Sequence, residues 1–334
     1  MTRLPLLAAA IAIPLAGPAM AADKPELTVY TYDSFVSDWG PGPAVVEAFE
    51  ATCDCTLKLV GVGDGAAILS RLKLEGGRTR ADVVLGLDTN LTAEAVETGL
   101  FALHGQTPDA LDLPVDWTDP IFLPFDWGYF AFVYDTTRTP EAPASFEALL
   151  AAPEDLSLVI QDPRSSTPGL GLLMWVKSIY GDKAGEVWKT LAPRIVTTTP
   201  GWSEAYGMFL EGEADMVLSY TTSPAYHRIA EGDETKEAAI FDEGHYMQVE
   251  VAGKIAGTDE PELADAFLAF MLSDAFQSII PETNWMYPAV LPEGGLPDGF
   301  GDPLPAEKAL LLDPAEARGL RDAALDEWRA ALSQ

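Results

Sequence analysis

The chain has 334 residues, with 52 acidic against 20 basic side chains and a net charge of −32. A surface of that sign repels nucleic acid and anionic lipid, so neither is expected as a ligand. Only three histidines occur (His104, His227 and His245), which excludes a His-rich metal site.

Residues 1–21, MTRLPLLAAAIAIPLAGPAMA, combine one arginine, a short apolar run and the small-residue site Ala19-Met20-Ala21. That pattern is a cleavable secretory signal, and Pro14 and Pro18 break the run too often for a membrane span. No later segment reaches spanning length without charges. The remaining chain is long enough for two domains and is expected to be exported. Cys53 and Cys55, with only Asp54 between them, fit an oxidising compartment and a possible disulfide stapling a turn.

Leu27–Tyr32 is apolar, β-branched and aromatic, and reads as a strand. Pro41–Ala51 follows with Val45, Val46 and Phe49 at helical spacing. Thr56–Val60 alternates as a second strand. Asp64–Glu75 reads as a helix with Ile68, Leu69, Leu72 and Leu74 inward, and Ala81–Leu85 as a third strand. The βαβαβ order predicts a parallel sheet with helices on its faces. Phe125–Tyr134 and Tyr246–Ile255 are long enough to cross between two lobes. Between them lie the buried strands Leu156–Ile160 and Asp215–Ser219 and the helix Gly169–Tyr180. Pro261–Leu272 and Asp274–Ile279 read as amphipathic helices and Pro305–Leu332 as a charged helical tail. The predicted organisation is a leader at 1–21, a first lobe of 22–124 with 250–334, and a second lobe of 125–249. The fold class is α/β, each lobe a mainly parallel sheet flanked by helices.

Ligands of parallel sheets bind beyond the carboxyl ends of strands. Tyr32 ends the first strand, where its ring can stack on a flat ligand; Trp39 and Gly40 follow. Asp64 and Gly65 open a helix, as a simple cap or with close backbone approach to a ligand. Ser166 and Thr167 precede another helix, as caps or as a nest for a hydroxyl or phosphate oxygen. Trp202 follows Pro200-Gly201, Trp285 sits in Asn284-Trp285-Met286-Tyr287-Pro288, and Tyr220 and Tyr226 bracket a turn containing Ser223. Negative charge favours a cationic ligand, although acidity also serves solubility or a high-salt setting. No Gly-x-Ser-x-Gly elbow, Walker loop or Gly-x-Gly-x-x-Gly fingerprint occurs, so no catalytic residue is nominated.

The segments LTVYTYDSFVSDWGPGP, ADVVLGLDTN, PFDWGYFAFVYD, QDPRSSTPGLGLL, GWSEAYGMFLEGEADMVLSYTTSPAYH, EGHYMQVEV and NWMYP together span almost the whole mature chain. On them the chain resembles the periplasmic thiamine-binding family of bacterial ABC transporters. The resemblance implies a two-lobed type II periplasmic binding fold that closes over thiamine, thiamine phosphate or thiamine diphosphate. It implies no cofactor, an inner-membrane permease as partner and a monomeric carrier. Mapped onto this chain, it implies ligand contacts at Tyr32, Asp64, Ser166, Trp202, Tyr220, Tyr226 and Trp285, and Gly65, Thr167 and Ser223 in the same loops are further candidate contacts. Aromatic faces such as Trp202 and Tyr226 suit the cationic thiazolium. Stacking on Tyr32 with a carboxylate such as Asp64 suits the aminopyrimidine, and Ser166, Thr167 and the Tyr220–Ser223 turn suit the hydroxyethyl or phosphate tail. The chain departs from the family at Gly61-Val62-Gly63, which lacks an acidic neighbour before Asp64, and the tail after Leu291 resembles it only loosely. Two alternatives remain: a polyamine or ferric-ion carrier of the same fold, and a thiamine-degrading transferase with a cysteine nucleophile.

Overall fold

The computed structural model describes residues 24–333. The expected leader lies outside them. In chain order the strands are β1 (Glu26–Thr31), β2 (Thr56–Gly61), β3 (Val83–Asp88), β4 (Phe122–Asp135), β5 (Leu158–Gln161) and β6 (Ile195–Thr199). They continue as β7 (Met216–Tyr220), β8 (Lys236–Ala238), β9 (His245–Lys254), β10 (Tyr287–Pro288) and β11 (Ala309–Leu310). The sheet runs β2-β1-β3-β9-β4-β7-β5-β6, with β8 and β10 paired to β4 and β11 to β9.

At one end β2, β1 and β3 are parallel. At the other β7, β5 and β6 are parallel. Between them β4 and β9 run antiparallel to each other, β9 antiparallel to β3 and β4 antiparallel to β7, while the short β11 pairs parallel with β9. β4 changes partner along its length: Phe122–Tyr129 pairs with β9, and Phe130–Tyr134 pairs with β7. A strand covered on both faces needs apolar residues in succession. FLPFDWGYFAFV supplies them, and all twelve residues are buried. Asp126 is the charged exception, placed in the middle of this strand.

Helices cover the sheet through the faces that the sequence spacing sets. Gly65–Glu75 buries Ile68, Leu69 and Leu72. Leu74, expected inward, is 83% exposed, because it lies two positions beyond Leu72 and a helix turns by about 100° per residue. Trp202–Leu210 sits on β5 and β7 through Ala205, Tyr206 and Phe209, which join Val133, Val159 and Val217 in a small cluster. The tail departs from the expected single helix. After one 3-10 turn at Ala306–Lys308, α-helix occupies only Pro314–Leu332, where Asp313 caps it through Ala315 N–H at 2.9 Å and Pro314 fills the first turn. Before it, Ala309–Leu310 pairs with β9. The tail helix packs on Ala184–Leu191 and Thr167–Tyr180 as well as on Thr89–Glu97, so it spans both halves of the sheet. Cys53 and Cys55 are joined as a disulfide in the turn before β2. No single helix among the described residues is long and apolar enough to cross a membrane.

Candidate functional site

A cavity of about 310 Å³ opens where the two parallel halves of the sheet face each other. Its walls include Tyr32, Asp64, Thr167, Trp202, Tyr220, Ser223, Tyr226 and Trp285, eight of the ten expected contacts. Gly65 and Ser166 lie immediately behind and hold the wall together.

Asp64 occupies the N-cap position of Gly65–Glu75, but its side chain caps nothing. Instead the Ser166 hydroxyl donates to Asp64 Oδ2 at 2.8 Å, and the backbone N–H of Trp202 also serves the carboxylate. Burial pushes the Asp64 carboxyl up to about 6, against those two hydrogen bonds, which favour the charged form. Gly65 N–H donates to Thr167 Oγ1 at 3.1 Å, and Ala67 N–H to Ser165 O at 3.1 Å. A Cβ at Gly65 would sit 2.4 Å from Thr167 Oγ1, so this approach requires glycine. The starts of three helices, at Gly65, Thr167 and Trp202, thus converge around one carboxylate. The Ser166 nest expected from the sequence is already in use: its N–H donates to Asp162 O at 2.9 Å and its hydroxyl to Asp64.

The aromatic wall is built by partners of its own. The Trp202 ring stacks on Tyr206 at 4.8 Å, and its N–H donates to Ser219 Oγ at 2.8 Å. Ser219 in turn shares a hydrogen bond with Ser223 at 2.7 Å. Tyr206 stacks on His227 and reaches His227 Nε2 with its hydroxyl at 2.9 Å. Tyr226 meets the Trp285 ring edge-on at 5.4 Å and donates to Glu231 Oε1 at 3.1 Å. Trp285 has φ 57°, the sole positive φ outside glycine among the described residues. Such backbone persists only where the surroundings enforce it, and it clusters at ligand sites. Trp39, 56% exposed, stands at the rim 6.2 Å from Trp202.

The other end of the cavity holds residues that sequence reasoning missed. Tyr32 donates to Glu250 Oε2 at 3.0 Å, and Asn284 donates to the Tyr32 oxygen at 2.9 Å. The Asn284 amide also donates to Asp126 Oδ2 at 2.6 Å. Tyr220 donates to Gln248 Oε1 at 2.9 Å. Glu250, Gln248, Asn284, Tyr206 and Met286 all line the cavity. The carboxylate paired with Tyr32 is therefore Glu250, from β9, while Asp64 belongs with Ser166 and Thr167. Glu250 and Gln248 sit two apart, on one face of β9. In a strand read only as apolar alternation that was the available signal. Among the described residues, no Lys, Arg or His lines this cavity.

A family model described as bacterial extracellular solute-binding protein matches residues 41–278. The chain is 53% identical over 311 residues to the thiamine-binding periplasmic protein of Escherichia coli (strain K12), covering 93% of this chain and 94% of that one. It is 52% identical over 323 residues to the protein of the same name in Brucella abortus biovar 1 (strain 9-941), covering 96% of each. A solved structure named periplasmic thiamin binding protein superposes with a TM-score of 0.90 at 52% identity, over 95% of this chain and 99% of that one.

Proposed function

We propose that this chain, which belongs to the bacterial extracellular solute-binding protein family, captures thiamine between its lobes and delivers it to the permease of an ABC importer. Its fold is the type II periplasmic binding fold, a mixed α/β architecture. It works in the periplasm, and residues 1–21 serve as its export signal. The observation that carries the ligand is the cavity itself. Tyr32, Trp202, Tyr226 and Trp285 offer ring faces, Asp64 and Glu250 offer carboxyls, and no basic side chain is among the lining residues. A flat organic cation is matched on every wall.

The lobe boundaries at 22–124 with 250–334 and at 125–249 are part of this proposal, as is a monomeric state. The aminopyrimidine would lie at Tyr32 and Glu250, with the exocyclic amine as donor. The thiazolium would lie between Trp202, Tyr226 and Trp285, and the hydroxyethyl tail would point to Asp64 and Thr167, which Ser166 and Gly65 hold from behind. The carrier has no catalytic turnover in this proposal, and both of its cysteines are tied to each other. A tyrosine-liganded ferric site is less well supported, because Tyr220 and Tyr226 spend their hydroxyl protons on Gln248 and Glu231.

Titration with thiamine is expected to quench intrinsic tryptophan fluorescence saturably with one site. The melting temperature should rise with ligand concentration. A flat titration, checked by calorimetry, would remove thiamine as the ligand.

The phosphate esters are the finer question. A phosphate on the tail would meet three helix N-termini, which favour it, and the Asp64 carboxylate, which opposes it. Asp64→Asn is therefore expected to raise the affinity for thiamine phosphate relative to free thiamine by roughly tenfold at about pH 8, where Asp64 is ionised. An unchanged ratio in paired titrations would place the tail elsewhere.

A further inference from the structure

The second buried acidic feature of the cavity is a pair, Asp126 and Glu250. The two residues are direct cross-strand partners on β4 and β9. Like charges opposite one another destabilise a sheet, so the placement needs a reason. Asp126 is fully buried and Glu250 is 5% exposed, facing the cavity. Asn284 bridges them, donating to Asp126 Oδ2 and to the Tyr32 oxygen, and Tyr32 donates to Glu250 Oε2, so the two carboxyls share one buried hydrogen-bond network. Two ionised carboxylates opposite each other in a dry site repel, so the arrangement favours a state in which one of the two carries a proton.

Every neighbour preserves that condition. Tyr32 from the end of β1 and Asn284 after the Ile280–Thr283 helix are neutral donors to the pair. Tyr220 from the end of β7 faces Glu250, and so does Asp64 from the start of Gly65–Glu75, with Asp33 and Glu204 beside it. Asp88 lies opposite Glu250 on β3 but is held by Asn90 and feels Arg321. Among the described residues, no Lys, Arg or His is a hydrogen-bond or ion-pair partner of Asp126 or Glu250. Burial holds both carboxyls above the ordinary carboxylate range, and the Asp126 charge raises Glu250 further, while the hydrogen bond from Asn284 favours the charged form of Asp126.

We propose that Asp126 and Glu250 share a proton in the empty protein and release it to solvent when a cationic ligand enters, so that the pair becomes the counter-charge of the bound cation. This rests on the thiamine reading above and deepens it. One O–H bond of the pair breaks, the proton leaves to bulk water, and the electron pair stays on the carboxylate facing the ligand. Coulomb attraction to the ligand supplies what neither carboxyl finds in the empty cavity, a positive partner in a low-dielectric site. Two consequences follow for selection. An uncharged analogue of the same shape leaves the proton in place and binds weakly, and affinity for the cation falls as pH falls.

The test is calorimetric titration of the full mature protein with thiamine at about pH 7, in two buffers of different ionisation enthalpy, which counts protons released per ligand. About one proton per thiamine is expected for the wild type. Glu250→Gln and Asp126→Asn should bind more weakly and release close to none. Should Glu250→Gln fail to fold, Asp126→Asn decides, because it breaks the same pair from the other strand. Saturable thiamine binding with no buffer dependence, or a proton count equal in wild type and both pair variants, overturns the proposal while leaving the thiamine reading standing. Absence of any saturable heat with thiamine overturns both.

Discussion

Trp202→Ala is expected to weaken thiamine binding by about 1–3 kcal/mol, roughly five- to 150-fold in Kd, with little change in the melting temperature of the empty protein. Trp202 is the first residue of its helix and only half buried, so the sheet beneath does not depend on it. Ala205, Tyr206 and Phe209 hold that helix to the sheet instead. What Trp202 contributes is a ring fixed in one orientation by two contacts, the stack on Tyr206 at 4.8 Å and the N–H bond to Ser219 at 2.8 Å. A pre-oriented face attracts a desolvated cation without ordering cost at the moment of binding. Trp202→Phe separates the two contributions. It keeps a π face but loses the Ser219 bond, and its Kd should fall between wild type and Trp202→Ala. Kd values unchanged in both variants, measured by calorimetry because the fluorescent reporter is itself removed, would place the thiazolium elsewhere in the cavity.

The difference between this tryptophan and Glu250 shows what the sequence could and could not reveal. Trp202 follows a Pro-Gly turn and opens a helix, a local pattern that marks it as a loop-end aromatic. Strand ends at Tyr32 and Tyr220 were legible for the same reason: period-two patterning stops there, and parallel strands present ligands at their carboxyl ends. The long runs at β4 and β9 were legible as crossings because only doubly covered strands stay apolar for so many residues. Glu250 and Asp126 were hidden in those same runs. Their function depends on the register that sets them opposite each other, and register is a non-local property that no window along the chain contains. Asn284 was likewise visible only as part of a loop, since its partners Tyr32 and Asp126 are 252 and 158 residues away. The helices Thr89–Glu97 and Ala184–Leu191 and the threonine-rich edge strand β6 went unpredicted. Thr89–Glu97 buries polar Thr89, Asn90 and Thr92 beside Leu91 and Ala95, so hydrophobic periodicity alone gives it a faint signature. Ser166, expected as a cap or nest, lies behind the cavity wall. Its hydroxyl orients Asp64, 102 positions away, and the helix it precedes has no side-chain cap.

Gly86→Ala is expected to lower stability by about 2–4 kcal/mol, a fall of roughly 4–10 °C in the melting temperature, and to weaken thiamine binding as well. Gly86 lies at the one register shift between β3 and β9, between Leu85 and Leu87, with φ +101°. That conformation is open to glycine and strained for alanine. Space is the larger obstacle. A Cβ there would stand 2.3 Å from Tyr32 Cδ1 and 2.6 Å from Tyr32 Cε1, both in a ring that is 95% buried and cannot swing away freely. The bulge therefore makes the recess in which the Tyr32 ring lies, and that recess sets where its hydroxyl meets Glu250 and Asn284. Displacing the ring should disturb both hydrogen bonds along with the stacking surface. The double variant Gly86→Ala/Tyr32→Ala distinguishes the causes. With the ring gone, the added methyl has room, and only the backbone cost of about 1 kcal/mol should remain relative to Tyr32→Ala alone. A strongly non-additive cycle in melting temperature would establish that β3 is bulged to seat this tyrosine. Additive losses would mean that the strain lies in the backbone at Gly86 and that Tyr32 is positioned by Glu250 and Asn284 alone.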